Sequence, residues 1–129
     1  MNKIYHNTAK RKTSIARVFI KKGVGNIKIN RININDYFYN KLYINIILKP
    51  IIILNMINKI DIFITVKGGG IMSQLNAIKL AISKTLVDIN LKFKTQLKKE
   101  KLLTSDSRIV ERKKYGFKKS RKKIQFSKR

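Results

Sequence analysis

The chain has 129 residues, carries 31 Lys+Arg against 6 Asp+Glu for a formal net charge of +25, and contains no cysteine. That length bounds it to one domain able to bury about two-thirds of its unfolded surface, and the missing cysteine excludes a disulfide scaffold, thiolate metal ligands and a Cys nucleophile. Like charges at this density repel one another in a compact domain, so the chain requires a polyanionic partner.

From the N-terminus, Met1 to Lys10 contain no apolar segment of the kind that opens a secretory leader. Lys10, Arg11 and Lys12 form a first cationic cluster, and the hydroxyls of Thr8, Thr13 and Ser14 around them suit a phosphate; the same cations also read as a solvated run ahead of the first strand. Ser14 to Ile20 predicts that strand, Lys21 to Asn26 a turn, and Ile27 to Ile32 a returning strand, so that the two make a β-hairpin. Asn35 is placed to cap a helix opening with Asp36, and Pro50 should end or kink any helix that reaches it. Leu42 to Ile57 is broken by Asn45, Lys49, Pro50 and Asn55. It falls short of the ~20 apolar residues of a membrane span and reads as an Ile-rich core segment.

Ile60, Ile62, Ile64 and Val66 alternate with Asp61, Phe63 and Thr65, which predicts a strand with one buried face. It runs into Lys67-Gly68-Gly69-Gly70, after which Leu75, Ile78, Ile82, Leu86 and Ile89 recur at helical spacing. The glycines admit two readings. They can offer backbone N–H groups and a positive helix end to a phosphate, or they can simply let the chain turn sharply against its neighbours. A nucleotide P-loop is excluded, because the closing Lys-Ser/Thr pair is absent. A second helical stretch is expected from Leu91 to Leu103, with Thr104 to Ser107 as its stop.

Residues 1–111 therefore read as an α/β (α+β) domain, a sheet packed by helices, and residues 112–129 as an extended basic tail. In that tail ten of 18 residues are basic and none acidic. Arg112, Lys113, Lys114, Lys118, Lys119, Arg121, Lys122 and Lys123 are interleaved with Tyr115, Phe117 and Phe126, so cations can hold phosphates while rings stack on bases. Catalysis has little to work with: six scattered carboxylates and the single His6 form neither an acid/base pair nor a metal-ligand cluster. No cofactor, small-molecule substrate or membrane partner is called for. A tail without an apolar helical face excludes a membrane-active peptide, and a general nucleic-acid-compacting protein is the alternative to a specific RNA partner.

The segments Lys10-Arg11-Lys12-Thr13-Ser14-Ile15-Ala16-Arg17-Val18, Thr65-Val66-Lys67-Gly68-Gly69-Gly70, Leu102-Leu103-Thr104 through Glu111-Arg112-Lys113-Lys114, and the final Gln125-Phe126-Ser127-Lys128-Arg129 carry a family pattern. Through them the chain resembles the ninth protein of the small ribosomal subunit, in its bacterial and organellar form. The resemblance implies the ribosomal protein S-five domain-two-like fold and a seat in the subunit head. Small-subunit rRNA would be bound through Lys10, Arg11, Lys12, Lys67, Gly68, Gly69, Gly70 and the basic stem of the tail. Ser127, Lys128 and Arg129 would touch P-site tRNA, and the remaining partners would be neighbouring ribosomal proteins of the head. One departure stands out: Met72-Ser73-Gln74 replaces the usual Ser-Gly-Gln, and a turn needing positive φ at Ser73 would be strained. Abundant Lys, Ile and Asn match an AT-rich gene, which with the resemblance implies a ribosome in a plastid, apicoplast or mitochondrion, or in a reduced bacterium.

Overall fold

A computed structural model describes residues 3–103, and one of the two edge strands of its sheet, the first in the chain, is one that the sequence pattern hid. In chain order the elements are β1 (Tyr5–Arg11), β2 (Ser14–Lys22), β3 (Ile27–Ile29), β4 (Ile32–Asn33), α1 (Ile34–Tyr37), α2 (Lys41–Ile53), β5 (Ile60–Lys67), α3 (Ile71–Ile89) and α4 (Phe93–Lys99). Strand β1 pairs antiparallel with β2 through the two-residue turn Lys12-Thr13, which sets Arg11 opposite Ser14. Lys12 adopts φ +55, as tight hairpin loops favour. Lys10 and Arg11 are thus part of a strand, not of a run preceding the first one.

The sheet order is β1-β2-β5-β3-β4, so the expected hairpin of Ser14–Ile20 with Ile27–Ile32 does not form. Strand β5 lies between those two segments, antiparallel to β2 and parallel to β3. The reversal after β2 is real but wide, and it wraps around the start of β5. There Asp61 Oδ1 accepts the backbone N–H groups of Val24, Gly25 and Asn26 at 3.0, 3.1 and 3.0 Å. A β5 that buries Ile60, Ile62, Ile64 and Val66 on one face satisfies an apolar layer on both sides, which a lone hairpin of β2 and β3 would leave open.

All buried strand positions share one face. Ala16, Val18, Ile20, Ile29, Ile62 and Ile64 meet Leu75, Ile78, Ile82 and Leu86 of α3 and Ile47 and Ile51 of α2 in a single core. The helices cover that side, and the opposite face of the sheet carries no helix among the described residues.

The cap of the first helix differs from expectation. Helix α1 is capped by Asn33, whose Oδ1 accepts Asn35 N–H at 3.0 Å, so the predicted cap Asn35 sits inside the first turn. Helix α2 is capped by Asn40 and does not end at Pro50: it runs on to Ile53, and Leu54 N–H donates to the Pro50 carbonyl at 3.3 Å, so the missing proline N–H costs one bond of the turn before it and not the turn after. Only one face of α2 is buried, with Leu42 and Ile52 turned to solvent. Among the described residues, no helix is long and apolar enough to cross a membrane. Helix α4 is shorter than the expected Leu91–Leu103 stretch, since the chain turns at Lys101 with φ +58. The expected stop at Thr104 to Ser107 lies outside the described residues.

Candidate nucleic-acid interface

Pairing of β2 with β5 puts Ile15 opposite Lys67 and brings two segments distant in sequence to one end of the sheet. Ser14 Oγ donates to the Gly68 carbonyl at 2.8 Å. Ser14 is fully buried, so its hydroxyl ties the two segments together and is not offered to a phosphate; Thr8 and Thr13 remain exposed. Gln74 Nε2 donates to the same carbonyl at 3.1 Å, and Tyr37 Oη donates to Gln74 Oε1 at 2.8 Å, locking the glycine turn to α1 and α3.

The three glycines do different jobs. Gly68 has φ +80, and a Cβ there would lie 2.6 Å from the Thr13 carbonyl oxygen. Gly69 has φ +66, and a Cβ there would overlap the Ser14 hydroxyl. Both positions demand glycine for conformation and for close approach. Gly70 has φ −93 with nothing within 4 Å of an added Cβ. It is the N-cap of the 19-residue α3 and has no side chain to bond the free amides, so the positive helix end is presented uncapped. Ser73 sits in the first turn of α3 and is not among the positive-φ residues, so the lost family glycine brings no backbone strain.

Lys12 and Lys67 are exposed at this end, beside Gly68 and Gly69. Lys10 and Lys67 lie in one cross-strand row with Ile15 between them, about 10 Å apart at ordinary strand spacing. Arg11 points to the helix side. There Lys10, Arg11, Asn76, Lys79 and Lys101 surround a small pocket of about 220 Å³. Burial, then the neighbouring Lys49, holds the Lys79 ammonium below its ordinary value. Sequence reasoning missed Asn76, Lys79 and Lys101; the available signal was the helical spacing of Asn76 and Lys79 on the edge of the apolar face of α3. The tail residues Arg112, Lys113, Lys114, Lys118, Lys119, Arg121, Lys122, Lys123, Ser127, Lys128 and Arg129 lie outside the described residues.

His6 is exposed on β1 with its ring 5.7 Å from that of Phe19. Among the described residues, no group of three His, Cys, Asp or Glu side chains is placed to hold a metal.

A family model described as ribosomal protein S9/S16 matches residues 9–129. Among curated relatives, a small ribosomal subunit protein uS9 of Chlorobaculum tepidum is 43% identical over 129 residues, covering 100% of both chains. The uS9 protein of Amoebophilus asiaticus is 46% identical over 98% of each chain. That of Rickettsia africae is 50% identical over 97% of this chain and 79% of its own.

Proposed function

The chain belongs to the ribosomal protein S9/S16 family, and from that premise we propose that it is a structural, non-enzymatic component of the small ribosomal subunit. The observation that carries the reading is the family match across residues 9–129, which takes in both the described domain and the basic tail. Its partners are rRNA and neighbouring proteins of the subunit head.

Two supports come from the domain itself. The first cationic cluster and the glycine turn, separate in sequence, converge at one end of the sheet. Lys10, Arg11, Lys12 and Lys67 supply cations for phosphate, and the amides of Gly68, Gly69 and Gly70 with the uncapped end of α3 supply donors. Arg112, Lys113, Lys114, Lys118, Lys119, Arg121, Lys122 and Lys123 anchor the tail of residues 112–129 in rRNA. Ser127, Lys128 and Arg129 reach P-site tRNA, where a terminal guanidinium can grip a phosphate with two parallel hydrogen bonds. The relatives named above are bacterial, and the composition suits an AT-rich genome in a reduced bacterium or an organelle.

Small subunits reconstituted with a chain lacking Ser127–Arg129 test the tip directly. They should assemble normally and hold P-site tRNA less tightly than subunits with the full chain. Equal tRNA affinity would refute the role of the tip. Indifference of the free protein between rRNA and duplex DNA, in competition at fixed salt, would favour a general compacting protein instead.

A further inference from the structure

We propose that the helix-free face of the sheet is a stacking platform for unpaired RNA bases, centred on the cross-strand pair Phe19 and Phe63. The inference rests on the RNA-binding reading above and extends it to a surface separate from the glycine turn.

The strand registers build the platform. His6 is opposite Phe19, Phe19 is opposite Phe63, and Phe63 is opposite Lys28, so one row across four strands reads His, Phe, Phe, Lys. Period-two alternation turns all four away from the helices. Phe19 is 37% exposed and Phe63 39% exposed. A single exposed ring on a protein surface needs no explanation. Two phenylalanines at directly paired positions of neighbouring strands, with the His6 ring 5.7 Å from that of Phe19, place three aromatic side chains in one row on a face that water solvates poorly.

Charge decides what covers it. The next row holds Arg17 between Thr8 and Thr65, and the row beyond has Lys10 and Lys67 at its two ends. On the other side Lys21 Nζ lies 5.4 Å from the Phe63 ring centroid. Asp61 is the one acid among these outward strand positions, and its carboxylate is turned onto the backbone of residues 24–26. Protein interfaces deplete charge at their cores, whereas here Arg17, Lys21 and Lys28 flank the two phenylalanines. A polyanion with flat apolar faces matches that pattern, and single-stranded RNA is one. Duplex RNA does not match, because its base faces are buried in the stack. The Lys10 and Lys67 row borders the glycine turn, so a strand whose phosphates sit there can cross the sheet and lay bases on the rings.

The test uses the full chain and a transcript of the rRNA of the subunit head. Phe19→Leu/Phe63→Leu removes the π-faces and keeps apolar bulk, while Phe19→Tyr/Phe63→Tyr keeps the rings; unchanged melting temperatures verify the fold of both. The Leu pair should lose about tenfold in affinity per stacked base. Its slope of log affinity against log salt should stay the same, since no phosphate contact is removed. The Tyr pair should bind like the wild type, and ultraviolet crosslinking of the wild type should join residues 14–22 and 60–67 to RNA. Undiminished affinity in the Leu pair overturns the proposal, as does an equal loss in the Tyr pair or a loss with a shallower salt slope. Crosslinks from this face to a protein of the assembled subunit, with none to RNA, assign it to a protein partner and overturn it too. A wild type that fails to bind the transcript refutes the parent reading along with this one, whereas a binding wild type matched by the Leu pair refutes this one alone.

Discussion

Replacing Gly69 by alanine tests whether the glycine turn is held by the contact described. Gly69 has φ +66, and an alanine Cβ would overlap the Ser14 hydroxyl. The left-handed conformation costs an alanine about 1–2 kcal/mol. Driving Ser14 Oγ away from the Gly68 carbonyl adds about 1 kcal/mol for the lost hydrogen bond. The sum, about 2–3 kcal/mol, should lower the melting temperature by about 10 °C in thermal unfolding followed by circular dichroism. Ser14→Ala alone should cost about 1 kcal/mol, because the Gly68 carbonyl keeps Gln74 Nε2 as a donor. In the double variant the overlap is gone, so Gly69→Ala should cost only its conformational part and the pair should be non-additive by about 1 kcal/mol. Gly68→Ala should show no such rescue, since its obstacle is the Thr13 carbonyl and not a side chain. Additive single and double variants, or a Gly69→Ala protein that melts with the wild type, would refute the reasoning.

Gly70→Asp should leave stability unchanged or raise it, because a carboxylate caps the open end of α3, and should weaken binding to rRNA at the same time; binding that holds would show that the helix end meets no phosphate. The amide of Asn26, with those of Gly25 and Val24, holds the Asp61 carboxyl below its ordinary value of 3.8. Stability drawn from Asp61 is therefore complete above pH 3.8 and is lost as the pH falls through the lower folded value, so urea unfolding across that range should lose part of its pH dependence in Asp61→Asn. Lys79 runs the other way: its lowered folded value means that the unfolded chain holds a proton the folded one gives up, so stability rises with pH between that value and 10.5. Lys79→Met should raise the melting temperature of the free protein at neutral pH, and a lower one would contradict the burial described.

What the sequence revealed divides along the range of the signals involved. Strand β5, the glycine turn and α3 were legible because alternation and helical spacing are local patterns, each with a strong apolar face. Strand β1 was not, because as an edge strand it turns Tyr5, Asn7 and Arg11 inward with only Ala9 fully buried, and so it reads as a polar, cationic run. The reversal between β2 and β3 was legible as a reversal, but the partner of each strand was not. That choice depends on β5, more than thirty residues later in the chain, and on Asp61 bonding the turn from below. The cap of α1 was misplaced for a compositional reason: Asn30, Asn33, Asn35 and Asn40 all suit a cap, and only the strand ending at Asn33 selects among them.

The same division governs the candidate interface. Lys10, Arg11, Lys12 and Lys67 through Gly70 were visible as clusters, yet nothing local says that they meet. Their meeting follows from the β2–β5 register, which is fixed by the core. Ala16, Val18 and Ile20 face the helices only if they pair with Val66, Ile64 and Ile62. A slip of one residue would turn those side chains to water and bring Arg17 and Phe19 inward. It would also carry Ser14 away from the Gly68 carbonyl and separate Lys12 from the glycine turn. The apolar alternation that makes the sheet bury one face thus also sets where the phosphate-binding groups stand. A core substitution that loosened this register, such as Val18→Asp, should therefore weaken RNA binding without touching a single proposed contact.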